Sequence, residues 1–105
     1  MTQQQLREAE NQLECQIEAV LRRCIIPALT GNGGWCGTIE NLFVEFKEVQ
    51  DKPYFRAEIE YNLPFFNGAD ADNYQEKTAF FSAASVEAVA LRGHNFSTDK
   101  ILSIF

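Results

Sequence analysis

The sequence predicts an α+β domain: a long N-terminal amphipathic helix packed on one face of an antiparallel sheet of about four strands, in the order α-β-β-β-α-β. Three observations carry this expectation. Apolar residues recur at three- and four-residue intervals from Leu6 to Ala28, they alternate strictly from Phe55 to Leu63, and turn-forming clusters separate the periodic stretches. The 105 residues, 46% of them hydrophobic and 12% aromatic, are enough for one core, so 1–105 reads as a single domain.

Leu6, Ala9, Leu13, Ile17, Val20, Leu21, Cys24 and Ala28 share one face of a helix running from Gln3 to about Leu29. Pro27 removes a backbone donor and is expected to kink or end the regular turn near Ile26. Thr30-Gly31-Asn32-Gly33-Gly34 then supplies the left-handed residues that stop a helix. The spacing puts Cys24 on the buried stripe and Cys15 nearly opposite it, the more exposed thiol. Such a helix is longer than a small core requires, which makes it a candidate seam for a homo-oligomer.

Leu42, Val44 and Phe46 alternate with Phe43, Glu45 and Lys47, and a second strand runs from Tyr54 to Leu63. Gln50-Asp51-Lys52-Pro53 joins the two as a hairpin. Charge selects its register: pairing Lys47 with Arg56 also opposes Glu45 and Glu58, whereas a two-residue shift sets Glu45 beside Arg56 and Phe46 beside Phe55. The second register is expected. Pro64, Asn67, Gly68, Asp70, Asp72 and Asn73 form a polar surface loop, and a third strand covers about Tyr74 to Ala83. Ser85 is placed to cap a short helix of Val86 to Arg92, Gly93 ends it, and Ile101 to Phe105 reads as a final strand.

The formal charge of −6 opposes binding to duplex nucleic acid or to an anionic membrane and favours a basic protein surface. No signal segment or membrane-length apolar run is present, so a cytoplasmic protein is expected. Cys15, Cys24 and Cys36 have neither a redox nor a zinc spacing and read as free thiols.

Candidate chemistry is sparse. His94, alone of its kind, follows a helix end and reads as a dipole-complementing or solvated side chain. Gly31-Asn32-Gly33-Gly34 follows a helix instead of opening one, so it reads as a stop and not as a phosphate cradle. Asp70, Asp72 and Glu76 hint at calcium, but Tyr74 stands where a third oxygen ligand belongs, and no metal or other cofactor is expected. Asn95-Phe96-Ser97 matches a glycosylation acceptor without the secretory context that gives the match meaning.

Two acidic surfaces are better candidates. Glu10, Glu14 and Glu18 form a helical ridge, tempered by Arg7 and Arg22, whose like charges repel by a few tenths of a kcal/mol each. The outer face of the hairpin mixes Glu45, Glu58 and Glu60 with Phe43 and Tyr54. Together these point to a non-enzymatic, stoichiometric inhibitor or neutraliser of a basic protein, of the immunity or phage anti-defence type. A homo-oligomer that sequesters an anionic nucleotide-like molecule through Arg22, Arg23, Arg92, Phe65 and Phe66 is the alternative. A small thiol or acid-base enzyme using Cys36 or His94 ranks third.

Overall fold

The computed structural model describes residues 2–25, 38–62 and 74–105. Helix α1 (Gln3–Val20) runs into a π-helical turn (Leu21–Ile25). Strands β1 (Thr38–Val49), β2 (Lys52–Asn62) and β3 (Tyr74–Phe81) follow, then α2 (Ala83–Arg92) and a short α3 (Thr98–Leu102). The strands form one antiparallel sheet in the order β1-β2-β3, with the helices gathered on one face, so the fold is α+β.

Thr2 and Gln5 start α1 with a reciprocal capping box: the Gln5 N–H donates to Thr2 Oγ1 at 3.1 Å and the Thr2 N–H donates to Gln5 Oε1 at 2.9 Å. The apolar stripe buries Ala9, Leu13, Ile17 and Val20. At the π turn the phase slips. Leu21 is buried and Ile25 packs against the core, while Cys24, expected on the buried stripe, is exposed, as is Cys15. A π turn takes more residues per revolution than an α turn, so the apolar positions cease to recur at 3.6. Proline at 27 has no N–H to give to the Arg23 carbonyl, which weakens the α pattern here.

The hairpin adopts the register that charge selects, with Glu45 opposite Arg56 and Phe46 opposite Phe55. Its turn is tighter than the four-residue connection expected. Val49 pairs with Lys52 across Gln50 and Asp51, both at positive φ (52° and 61°), the signature of the primed turn that matches strand twist. Phe55, Ala57, Ile59 and Tyr61 are buried against the helices; Leu63 lies outside the described residues.

The C-terminal strand expected over Ile101–Phe105 is absent: α3 and a following turn occupy the segment, and the described sheet has three strands. Ile101, Ile104 and Phe105 are spaced as a helix spaces its apolar residues, and the Lys100 N–H donates to Ser97 Oγ, which caps the helix. The chain end folds back so that the Phe105 ring meets Tyr61 edge-on at 5.9 Å. Helix α2 begins earlier than expected, with Ser82 and not Ser85 at its N-cap, because Ala83 and Ala84 are strong helix formers and extend it.

Gly93 ends α2 at φ 67° with open space around its Cβ position. Gly93→Ala is therefore expected to cost about 1 kcal/mol from backbone strain alone, without a packing clash, as measured by urea denaturation.

The open face of the sheet as candidate functional site

Strand alternation divides the sheet chemically. One face turns Leu42, Val44 and Phe46, then Phe55, Ala57, Ile59 and Tyr61, then Ala79 and Phe81 toward the helices. The other face carries Phe43, Glu45 and Lys47 from β1, Tyr54, Arg56, Glu58 and Glu60 from β2, and Tyr74, Glu76, Thr78 and Phe80 from β3. Among the described residues no helix covers this second face. Phe43, Tyr74 and Phe80 keep 42%, 44% and 56% of their surface exposed, a large aromatic content for solvent-facing strands. The Tyr54 and Phe80 rings lie 5.9 Å apart on it.

Charge on this face is uneven. Arg56 sits between Glu58, which it grips at short range, and Glu45 at 3.8 Å, and Lys47 reaches the same Glu45 carboxylate at 3.3 Å. The Glu58 hydrogen bond, with further help from Glu45, raises the Arg56 pKa against the opposing effect of desolvation. One end of the face is thus internally neutralised. At the other end Glu60 stands directly opposite Glu76, and among the described residues neither has a salt-bridge partner. Directly opposed like charges are unfavourable across a sheet. Desolvation and the neighbouring Glu60 and Glu76 carboxylates hold the Tyr74 hydroxyl protonated well above the ordinary phenol range, and it donates to Glu76 Oε1 at 3.1 Å. A shallow cleft of about 120 Å³ between β2 and β3 is lined by Glu58, Glu60, Glu76, Lys77 and Thr78 together with Ile59. It is smaller than the roughly 300 Å³ at which small-molecule pockets begin.

The structure therefore brings together Phe43, Tyr54, Glu45, Glu58 and Glu60, and adds Tyr74, Glu76 and Phe80. The added residues were legible as a group: they alternate along β3 as the others do along β2. The helical ridge has a different placement. Glu14 Oε1 accepts from the Val44 N–H at 3.0 Å and Glu10 Oε2 from the Phe46 N–H at 2.7 Å, so both carboxylates are engaged with the outer edge of β1. Glu18 pairs with Arg22 at 3.0 Å on the helix surface.

Of the arginine set, Arg22 bonds Glu18 and Arg92 lies 3.6 Å from Glu87, each pair within its own helix, while Arg23 is exposed. Phe65 and Phe66 lie outside the described residues, as do Cys36, the Gly31 to Gly34 stretch, Asp70 and Asp72. His94 is exposed, and its backbone N–H donates to the Ala88 carbonyl. Asn95-Phe96-Ser97 is taken up by the fold, since Asn95 Oδ1 accepts from Gln12, Phe96 is buried, and Ser97 caps α3.

Among the described residues no His, Cys, Asp and Glu side chains gather in a group able to hold a metal ion, and no helix is long and apolar enough to cross a membrane. No protein family matches the chain, and neither a curated protein nor a solved structure is similar to it.

Proposed function

We propose that the protein is a non-enzymatic binding protein whose open sheet face engages a basic protein partner and neutralises it stoichiometrically. The observation that carries this reading is an uncovered face that bears an unbalanced pair of carboxylates, Glu60 and Glu76, beside Tyr74, with Phe43, Tyr54 and Phe80 farther along the same face. A lysine or arginine from a partner, seated between them, relieves their repulsion and adds charge-assisted hydrogen bonds. Phe43, Tyr54 and Phe80 supply flat apolar area of the kind enriched at interface centres. The acidity of the whole chain steers a basic partner toward contact. The finer reading, an inhibitor of immunity or anti-defence type, rests on size and acidity alone.

The test is capture on the immobilised full chain from a lysate of its source cell, with E60K/E76K beside it and Glu87→Lys, on the solvent side of α2, as a control. A basic protein retained in equal molar amount, released by salt and weakened roughly tenfold or more by E60K/E76K is the expected result. E60K/E76K separates the like pair from its present repulsion only by creating another, so it should fold with stability within about 1 kcal/mol of the parent. A partner held equally well by E60K/E76K would place the contact elsewhere, and no retained partner would count against the reading as a whole.

A further inference from the structure

The two edges of the sheet are finished differently. On β1, the N–H groups of Val44 and Phe46 point outward to Glu14 and Glu10 of α1. Residues of an antiparallel ladder alternate in the side to which they offer their backbone groups, so this observation sets the phase of the whole sheet. Glu45 then bonds Arg56 of β2, and the Val49–Lys52 pair that closes the two-residue turn has the same phase. Phe55, Ala57 and Ile59 in turn face β3, where they meet Phe81, Ala79 and Lys77. The outer edge of β3 therefore presents the N–H and C=O groups of Tyr74, Glu76, Thr78 and Phe80. Among the described residues no backbone group pairs with them.

We infer that this edge is the seam of a two-fold homodimer, in which β3 pairs antiparallel with β3 of a second copy about an axis through Thr78 and completes a six-stranded sheet. Unpaired edges are templates for another strand, and a two-fold pairing makes one edge serve as its own complement. Charge favours the occupant, and charge together with full overlap of the eight-residue strand favours the register. Glu76 and Lys77 are the charged residues of β3, so the strand is neutral within a chain of net charge −6, and of the two edge strands it is the less repelled by its own copy, since β1 carries Glu40, Glu45 and Glu48 against Lys47. An axis through Glu76 opposes two carboxylates, and an axis through Lys77 opposes two ammonium groups. An axis through Thr78 sets Thr78 against Thr78, Glu76 against Phe80 and Lys77 against Ala79, with no like charges opposed. Lys77 points to the helix side of the sheet, the kind of inward charge that blocks indiscriminate edge pairing; here it excludes the one-residue slip. Tyr74 and Phe80, both exposed, lie on the edge residues and gain cover from the second copy. The seam leaves the open faces free and joins them into one surface bearing two Glu60–Glu76 pairs, so dimerisation and partner binding are separable properties.

The test uses the full chain and Thr78→Pro. Proline at 78 removes an outward N–H and no bond to β2, so the variant is expected to keep the parent circular dichroism spectrum. Light scattering should give a dimer for the parent at high micromolar concentration and a monomer for Thr78→Pro. Residue-resolved hydrogen exchange on the parent should show the Glu76, Thr78 and Phe80 amides slowed roughly tenfold or more only at concentrations where the dimer forms. A parent that stays monomeric, a dimer that survives Thr78→Pro with those amides unprotected, or amides protected in the monomer would each overturn the inference. Should Thr78→Pro fail to fold, mass and exchange on the parent alone decide it.

Discussion

Phe96→Ala is expected to lower stability by about 3–5 kcal/mol, a large share of what holds a domain of this size together. Phe96 lies in the irregular segment between α2 and α3, where a truncation would ordinarily be mild. Here its ring is only 5% exposed and meets Phe81 at 4.9 Å and Phe55 at 6.1 Å, both edge-on, so it ties the C-terminal segment to β2 and β3. The backbone of the same residue is held from the other side: its N–H donates to Gln16 Oε1 at 3.0 Å, and its carbonyl accepts from Gln16 Nε2. Alanine leaves those bonds in place and removes the ring, so the loss measures packing and cavity formation. Asn95→Ala, which removes one exposed contact to Gln12, should cost under about 1 kcal/mol. Urea denaturation of the two variants checks the contrast; a Phe96→Ala loss below that of Asn95→Ala would show that the ring is not part of the core.

The second large effect is expected from E10A/E14A. Each carboxylate accepts a hydrogen bond from an edge amide of β1, and bonds to charged acceptors contribute roughly 1.5–3 kcal/mol apiece where water competes little. Both sites are half-buried, so a combined loss of about 2–4 kcal/mol is expected. E10Q/E14Q keeps a side-chain oxygen at each position and should retain most of the stability. Removing both acceptors also opens the outer edge of β1, so the alanine variant should aggregate on partial unfolding where the glutamine variant does not. Hydrogen exchange at the Val44 and Phe46 amides reports the bonds directly, and rates unchanged in E10A/E14A would disprove the edge-capping role.

These carboxylates also bear on function. With Glu10 and Glu14 bound to β1, the helical ridge offers Glu18 and its Arg22 partner, whereas the open face keeps Glu60 and Glu76 unbalanced. The carboxylates left without a cation or an edge amide are therefore paired most closely on the sheet, at Glu60 and Glu76. Dimerisation through β3 would bring two such acidic pairs onto one surface, which suits a partner with repeated basic groups.

The sequence by itself determined what depends on neighbours along the chain or on one strand pair. Leu13 and Ile17 face inward, Gly93 ends α2, and the charges of Glu45 and Arg56 choose the hairpin register; each is a matter of local spacing or of two facing strands. It failed where a helix left its ordinary period. The π turn moved Cys24 out of the core, and a short apolar end read as a strand became α3, because five residues carry too little periodicity to separate strand from helix. Only the tertiary structure decided what the carboxylates do. Glu10 and Glu14 are spaced as a solvent-facing ridge, and nothing in that spacing says that an edge strand delivers its amides to them. Glu60 and Glu76 are far apart along the chain, and only the pairing of β2 with β3 sets them opposite each other on a face that no described helix covers. The physical reason is the same in both cases: local periodicity fixes which way a side chain points, but what it meets there depends on elements brought together by packing.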